Sequence, residues 1–224
     1  MTEKPISGVY VAVLTPRLAD SSIDVPALTI LVHFLLGKDI STFAINGATG
    51  EFGLTTPSHL DVILSTIQQA SNGRAHILCG IGAPGNALAF ELVAVAQRHA
   101  VHGLLLPMPC FFPYQQQDLD PFCRYVAATT TLPILLYNLP QFTSGLEKET
   151  VLTLIQQVPN IIASRHAKMH GISRDQFMAR HRANHLNVAY APTPHDAVTA
   201  LSTKAAMLHA LGITVHFCGD IDLQ

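Results

Sequence analysis

The stretch GLLLPMPCFFPYQQQDLDPFCRYVAATTTLPILLYNLP, residues 103–140, holds one complete strand–helix–strand unit. Its two ends, GLLLPMP and PILLYNLP, are short and almost wholly apolar, which is typical of strands buried on both faces. The residues between them predict a helix over 118–130, with Asp118 as its N-cap. Because two buried strands joined by a helix pair in parallel, this stretch predicts an α/β fold with a parallel sheet.

The same unit repeats on both sides of this stretch. Further strands are predicted over 9–15, 42–46 and 75–82, and further helices over 24–38, 57–70, 85–100 and 147–157. This regular repetition predicts a (β/α)8 TIM barrel. A doubly wound nucleotide-binding sheet is disfavoured. The glycines of GIGAPG have the right spacing for one, but no acidic residue follows a second strand about 20 residues later.

The end of the chain does not fit three more complete units, since a unit takes roughly 30 residues. Candidate elements do occur after residue 159: strands over 160–164, 186–191 and 213–218, and helices over 173–182 and 196–211. We therefore expect one barrel domain over 1–224 that is incomplete or compressed in its last three units. Residues 1–163 form its regular part and 164–224 its divergent part.

Composition argues against several classes of function. The net charge is −2 and only 12% of residues are charged, with no basic stripe, which argues against a nucleic-acid partner. No apolar run reaches the roughly 18 residues of a membrane span. The four cysteines are scattered, which predicts reduced thiols and a cytoplasmic location.

Polar residues follow two of the predicted strands, at the end of a barrel where active sites lie. Gly47-Ala48-Thr49-Gly50-Glu51 follows the second strand, and its glycines allow backbone N–H groups to turn toward a carboxylate or phosphate. Tyr137 ends the fifth strand, where a phenol can donate or accept a proton. A helix-capping turn and a packed tyrosine are the structural alternatives.

Five segments, in order and spacing, resemble the dihydrodipicolinate synthase / N-acetylneuraminate lyase family, the pyruvate-type class I aldolases. They are GATGEF, ILCGIGA, GLLLPMPCFFPYQQQDL, PILLYNLPQFTSGL and ETVLTLI with the VPNII that follows it. The resemblance implies a (β/α)8 barrel, usually a tetramer, that acts on pyruvate or a related 2-oxo acid without a cofactor or metal. A lysine on the sixth strand forms a Schiff base with the ketone.

The resemblance also implies roles for individual residues. Tyr137 corresponds to the proton shuttle at the imine carbon. Thr49 and the amides of Ala48 and Thr49, within the loop from Gly47 to Gly50, correspond to the group that holds the substrate carboxylate. The Schiff-base lysine corresponds to Arg165.

The chain departs from the family pattern at four positions. A guanidinium at Arg165 stays protonated and cannot form an imine, although it can bind a carboxylate. Ala48 lacks the hydroxyl that usually relays a proton to the tyrosine. Phe111 and Phe142 replace, respectively, a tyrosine that reaches a neighbouring subunit and an arginine that holds the second substrate of the synthases.

The sequence therefore predicts a lyase of the aldolase type, acting on pyruvate or a 2-keto-3-deoxy sugar acid and impaired by Arg165. Three alternatives remain: a non-catalytic 2-oxo acid-binding homologue, an active aldolase that uses Lys168, and a metal-dependent lyase that uses the late histidines. The histidine pairs 166/170 and 181/185 have the spacing of ligands on a helix, but no acidic ligand accompanies them. The expected partners are a small 2-oxo acid and further copies of this chain.

Overall fold

The computed structural model describes residue 6, residues 10–140 and residues 143–166. Strands and helices alternate through this part of the chain. The strands are β1 Val11–Ala12, β2 Thr42–Ile45, β3 His76–Gly80, β4 Gly103–Pro107, β5 Ile134–Asn138 and β6 Ile161–His166. The helices are α1 Val25–Leu36, α2 Pro57–Ser71, α3 Asn86–Arg98, α4 Gln116–Ala128 and α5 Lys148–Gln157.

The six strands form one parallel sheet in the order β1-β2-β3-β4-β5-β6. A doubly wound sheet reverses its strand order at a switch point, whereas a barrel adds each strand beside the one before it. The sequential order is therefore that of a (β/α) barrel. The predicted strands beyond β6 and the helices over 173–182 and 196–211 lie outside the described residues.

The two faces of the sheet are buried in different ways. The outer face packs against the helices and includes Phe43, Leu104 and Leu136. The inner face forms a smaller apolar cluster, which includes Leu105 and Tyr137. Since side chains alternate between the faces of a strand, this division fixes which residues point into the barrel.

Helix caps explain where most helices begin. Asp24 accepts a hydrogen bond from the N–H of Ala27 at 2.9 Å, and Thr56 caps α2 in the same way. The predicted N-cap of α4 was wrong. Gln115 is the N-cap, and Asp118 lies three residues later, where its carboxylate accepts from the N–H of Gln115 in a capping box.

An extra residue in β6 sets the position of the residues that follow it. Ile134 pairs with Ile161, but Leu135 pairs with Ala163, so Ile162 is a bulge. Without the bulge Tyr137 would face Ser164; with it, Tyr137 pairs with Arg165.

Candidate functional site

The glycine loop, residues 47–51, and Tyr137 meet at the carboxyl ends of β2 and β5. Tyr137 is 7% exposed and belongs to the inner apolar cluster, against which Ala48 also packs. A Cβ atom built on Gly47 would lie 3.9 Å from the hydroxyl oxygen of Tyr137. The structure thus brings together two elements that are 90 residues apart in sequence (137 − 47 = 90).

The glycine loop folds into a 3-10 turn over Ala48–Gly50. The N–H groups of Gly50 and Phe52 donate to the carbonyl oxygen of Gly47, at 3.0 and 3.2 Å. Ala48 and Thr49 open the turn, and N–H groups in that position have no partner within a helical turn. These two amides are therefore the candidates for the anion site that the sequence predicts.

Two non-glycine residues at the borders of this loop have a left-handed backbone conformation. Asn46 precedes the loop with φ of 50°, and Glu51 ends it with φ of 57°. The side chain of Asn46 is 1% exposed and its amide donates to the carbonyl oxygen of Gly80 at 2.7 Å. Its Oδ1 atom has no hydrogen-bond partner in the part of the chain that is described. Sequence reasoning did not identify Asn46, because nothing local signals its buried contact.

Arg17 lies beside the loop and was also missed. Its Nε atom is 3.5 Å from a carboxylate oxygen of Glu51, and its side chain is only 8% exposed. Arginine is seldom so buried without a partner, but its burial and its carboxylate partner are visible only in the structure, so the sequence held no signal for it.

Asn138 joins β5 to the segment before α5. Its side chain donates to the carbonyl oxygen of Leu146 at 2.8 Å and accepts from the N–H of Leu146 at 3.0 Å. These contacts hold the chain next to Tyr137. The sequence identifies Tyr137 and leaves this neighbour without a role.

Arg165 is next to Tyr137 in the backbone ladder of β5 and β6. Lys168, the candidate substitute, lies outside the described residues, as do Phe142 and the histidine pair 181/185. Within the described part of the chain no group of three or more histidine, cysteine or acidic side chains could hold a metal ion.

The segment between β4 and α4 also follows the carboxyl end of a strand, and it carries exposed aromatic residues. Phe111 is 86% and Phe112 60% exposed, and their rings make an edge-to-face pair with centroids 4.8 Å apart. Phe111 has φ of 108°, a conformation that residues with a Cβ rarely adopt. The N–H of Tyr114 donates to the hydroxyl of Ser144 at 2.9 Å, so this segment is joined to the one after β5.

Two of the cysteines in the described part, Cys79 and Cys123, are buried thiols. Cys79, Cys110 and Cys123 form no disulfide there. Burial raises the pKa of the Cys79 thiol to about 12 and also raises the pKa of Cys123. Thiols with such pKa values stay protonated and unreactive near neutral pH.

Among the helices of the described residues, none has the length and apolar character of a membrane span.

Comparison with known proteins agrees with this geometry. The model of the Dihydrodipicolinate synthetase family matches residues 5–187. The chain is a (β/α) barrel protein, and it belongs to the Dihydrodipicolinate synthetase family.

Relatives of both branches are similar to it. A 4-hydroxy-tetrahydrodipicolinate synthase of Laribacter hongkongensis is 32% identical over 164 residues, which cover 72% of this chain and 56% of that protein. An N-acetylneuraminate lyase of Rhizobium meliloti is 26% identical over 216 residues, 96% of this chain and 70% of that protein. The chain thus spans about half the length of the first relative.

Solved structures confirm the predicted fold class. The structure of a chloride-inhibited dihydrodipicolinate synthase from Acinetobacter baumannii, complexed with pyruvate, is similar with a TM-score of 0.75 and 26% identity. The similarity covers 84% of this chain and 64% of that one.

Proposed function

We propose that the chain binds 2-oxo acids such as pyruvate at the glycine loop and Tyr137, and that it is an aldolase-type lyase impaired by Arg165. The pairing of Arg165 with Tyr137 in the sheet carries the proposal. An imine forms only from a neutral amine with an available lone pair. Lysine can supply one because its pKa falls on burial, whereas the guanidinium stays charged and its lone pairs are delocalised.

Binding needs only groups that this chain retains. The amides of Ala48 and Thr49 and the hydroxyl of Thr49 would hold the carboxylate of the 2-oxo acid. The phenol of Tyr137 would lie at its carbonyl end, since a Cβ atom built on Gly47 would lie only 3.9 Å from the Tyr137 hydroxyl. The Acinetobacter baumannii relative was solved with pyruvate, which supports this substrate class.

Trapping of the imine tests the loss of chemistry. The full chain is incubated with pyruvate, reduced with borohydride and weighed by mass spectrometry. The unchanged chain should gain no mass, because residue 165 is an arginine and its guanidinium cannot form an imine. The Arg165→Lys variant should gain the mass of one reduced pyruvate imine, mapped to residue 165, because it restores an amine at the position that pairs with Tyr137 in the sheet.

The Lys168→Ala variant is the matched control, and it should behave like the unchanged chain. An adduct on Lys168 of the unchanged chain would contradict the proposal. That result would favour an active aldolase that acts on pyruvate or a 2-keto-3-deoxy sugar acid. Calorimetric titration with pyruvate tests binding separately, and Thr49→Val should weaken it about tenfold.

We further propose that the single barrel domain over 1–224 self-associates, as the family resemblance implies. The exposed pair Phe111 and Phe112 supports this, because large apolar side chains so exposed are typical of contact surfaces. Analytical ultracentrifugation should show an oligomer that Phe111→Ser weakens. A monomer that melts cooperatively at high temperature would contradict it.

A further inference from the structure

We infer that Arg17 is a positioning residue for the 2-oxo acid site. It acts through Glu51 to hold the glycine loop in the conformation that presents the amides of Ala48 and Thr49. The inference rests on the proposed function for its ligand, but its structural core concerns the loop alone.

The loop needs such support because of its backbone. Glu51 has φ of 57°, and a side chain with a Cβ disfavours this left-handed conformation. Such a residue persists only where its surroundings fix it in more than one way. The N–H of Glu51 donates to the carbonyl oxygen of Ala48 at 3.1 Å, and its carboxylate faces Arg17. Two contacts therefore hold the residue that closes the loop.

Arg17 joins three separate segments. One Nη atom donates to the carbonyl oxygen of Ser21 at 3.0 Å and lies 3.4 Å from Nδ1 of His59, the third residue of α2. The other donates to the hydroxyl of Thr55 at 3.2 Å, and Nε lies 3.5 Å from a carboxylate oxygen of Glu51, an ion pair without the geometry of a hydrogen bond among the described residues. A planar guanidinium with five donors can serve all these directions at once, whereas an ammonium is a point charge.

Loss of this guanidinium leaves the carboxylate of Glu51, only 22% exposed, without its cation. The carboxylate is then better solvated by moving outward. That movement releases the left-handed backbone, and the amides of Ala48 and Thr49 no longer converge. Affinity for an anion falls although no residue that touches it has changed.

Hydrogen exchange of the full chain tests the inference directly. In Arg17→Met, amides of the peptide spanning 46–54 should exchange about tenfold faster, while those of β4 should not change. The pyruvate dissociation constant should rise about tenfold. Arg17→Lys should give an intermediate effect on both. Arg98→Met is the control. It breaks the exposed ion pair between Arg98 on α3 and Asp61 on α2, and it should change neither the loop exchange nor the pyruvate dissociation constant.

Unchanged loop exchange in Arg17→Met would overturn the inference. If that variant does not fold, Glu51→Gln makes the same test, and unchanged loop exchange there would overturn it equally. A chain that binds no pyruvate at all contradicts the proposed function, whereas loop exchange still decides the role of Arg17. Faster exchange throughout the barrel would show a general stabilising role and would also count against a positioning role.

Discussion

The two ends of the same six strands differ in how their polar groups are used. At the amino end, Tyr10 and His76 share a hydrogen bond of 2.6 Å, and the ring of His76 stacks on that of His102 with centroids 3.7 Å apart. His102 in turn accepts from the N–H of Ile77 at 3.1 Å. These groups contact one another and connect the amino ends of β1, β3 and β4.

The left-handed residues of the amino end, Asp39, Asn72 and Ala100, follow helices, where this conformation is ordinary, whereas at the carboxyl end two polar residues adopt it in the loop after β2. Asn46 and Glu51 have left-handed backbones, and the buried Oδ1 of Asn46 has no hydrogen-bond partner among the described residues. A buried acceptor without a partner costs about 1–3 kcal/mol, and such costs concentrate where a ligand binds. The comparison supports the proposal that the carboxyl end is the one arranged for a ligand, while the amino end contributes to the stability of the barrel.

Gly80→Ala should cause the largest loss of stability, because the carboxyl end has no space for a side chain at this glycine. A Cβ atom there would lie 1.9 Å from the carbonyl oxygen of Asn46. The backbone must shift, and the free energy of unfolding should fall by about 3 kcal/mol. Urea denaturation measures this. Gly53→Ala is the control, since its Cβ would meet nothing within 4 Å, and it should cost less than about 1 kcal/mol.

Asn138→Ala should have the next largest effect. It leaves the N–H and the carbonyl oxygen of Leu146 without the two side-chain partners they have now. A loss of about 2 kcal/mol is expected in urea denaturation, together with weaker pyruvate binding. Asn138→Asp places a carboxylate against the carbonyl oxygen of Leu146 and should lose at least as much. No loss in Asn138→Ala would show that the side-chain contacts do not matter.

The sequence predicted the elements of this fold because apolar runs and caps are local signals. GLLLPMP and PILLYNLP became β4 and β5, and Pro57 begins α2 where its fixed φ favours a helix. The first strand was predicted over 9–15 and spans only Val11–Ala12, although the N–H of Val13 still donates to Ala44. Strand ends depend on the neighbouring strand, which the local pattern does not contain.

The site was only partly predictable for the same reason. The glycine loop and Tyr137 carry recognisable residue types in recognisable places. The bulge at Ile162 has no local signature, yet it decides that Arg165 and not Ser164 pairs with Tyr137. Arg17 and Glu51 are far apart in sequence, so their contact could be read only from the structure.

Tyr10→Phe tests the amino end. It removes the hydroxyl that bonds to His76 and should cost about 1 kcal/mol at neutral pH without changing pyruvate binding. Burial raises the pKa of Tyr10 above its ordinary value of 10.0, so the unfolded chain loses this proton first. The stability that Tyr10 contributes is therefore present below pH 10 and is lost as the pH rises through its folded pKa.

The difference in unfolding free energy between the unchanged chain and Tyr10→Phe should accordingly shrink above pH 10, the ordinary pKa of tyrosine. Urea denaturation at a series of alkaline pH values measures it. Weaker pyruvate binding in Tyr10→Phe would break the comparison, because the amino end would then contribute to the ligand site.

Asp61→Asn should have the smallest effect, because it changes a polar contact on the helices, away from both ends of the barrel. Hydrogen bonds from His99 and then Arg98 hold the pKa of Asp61 below its ordinary value of 3.8. A lowered folded pKa means that the contribution is present above 3.8 and is lost as the pH falls through the folded value. The small advantage of the unchanged chain over Asp61→Asn should therefore disappear in acid. A difference in unfolding free energy that persists unchanged at low pH would show that packing, rather than charge, supplies it. The pyruvate affinity of Asp61→Asn should equal that of the unchanged chain, because α2 and α3 cover the outer face of the sheet, away from the barrel mouth.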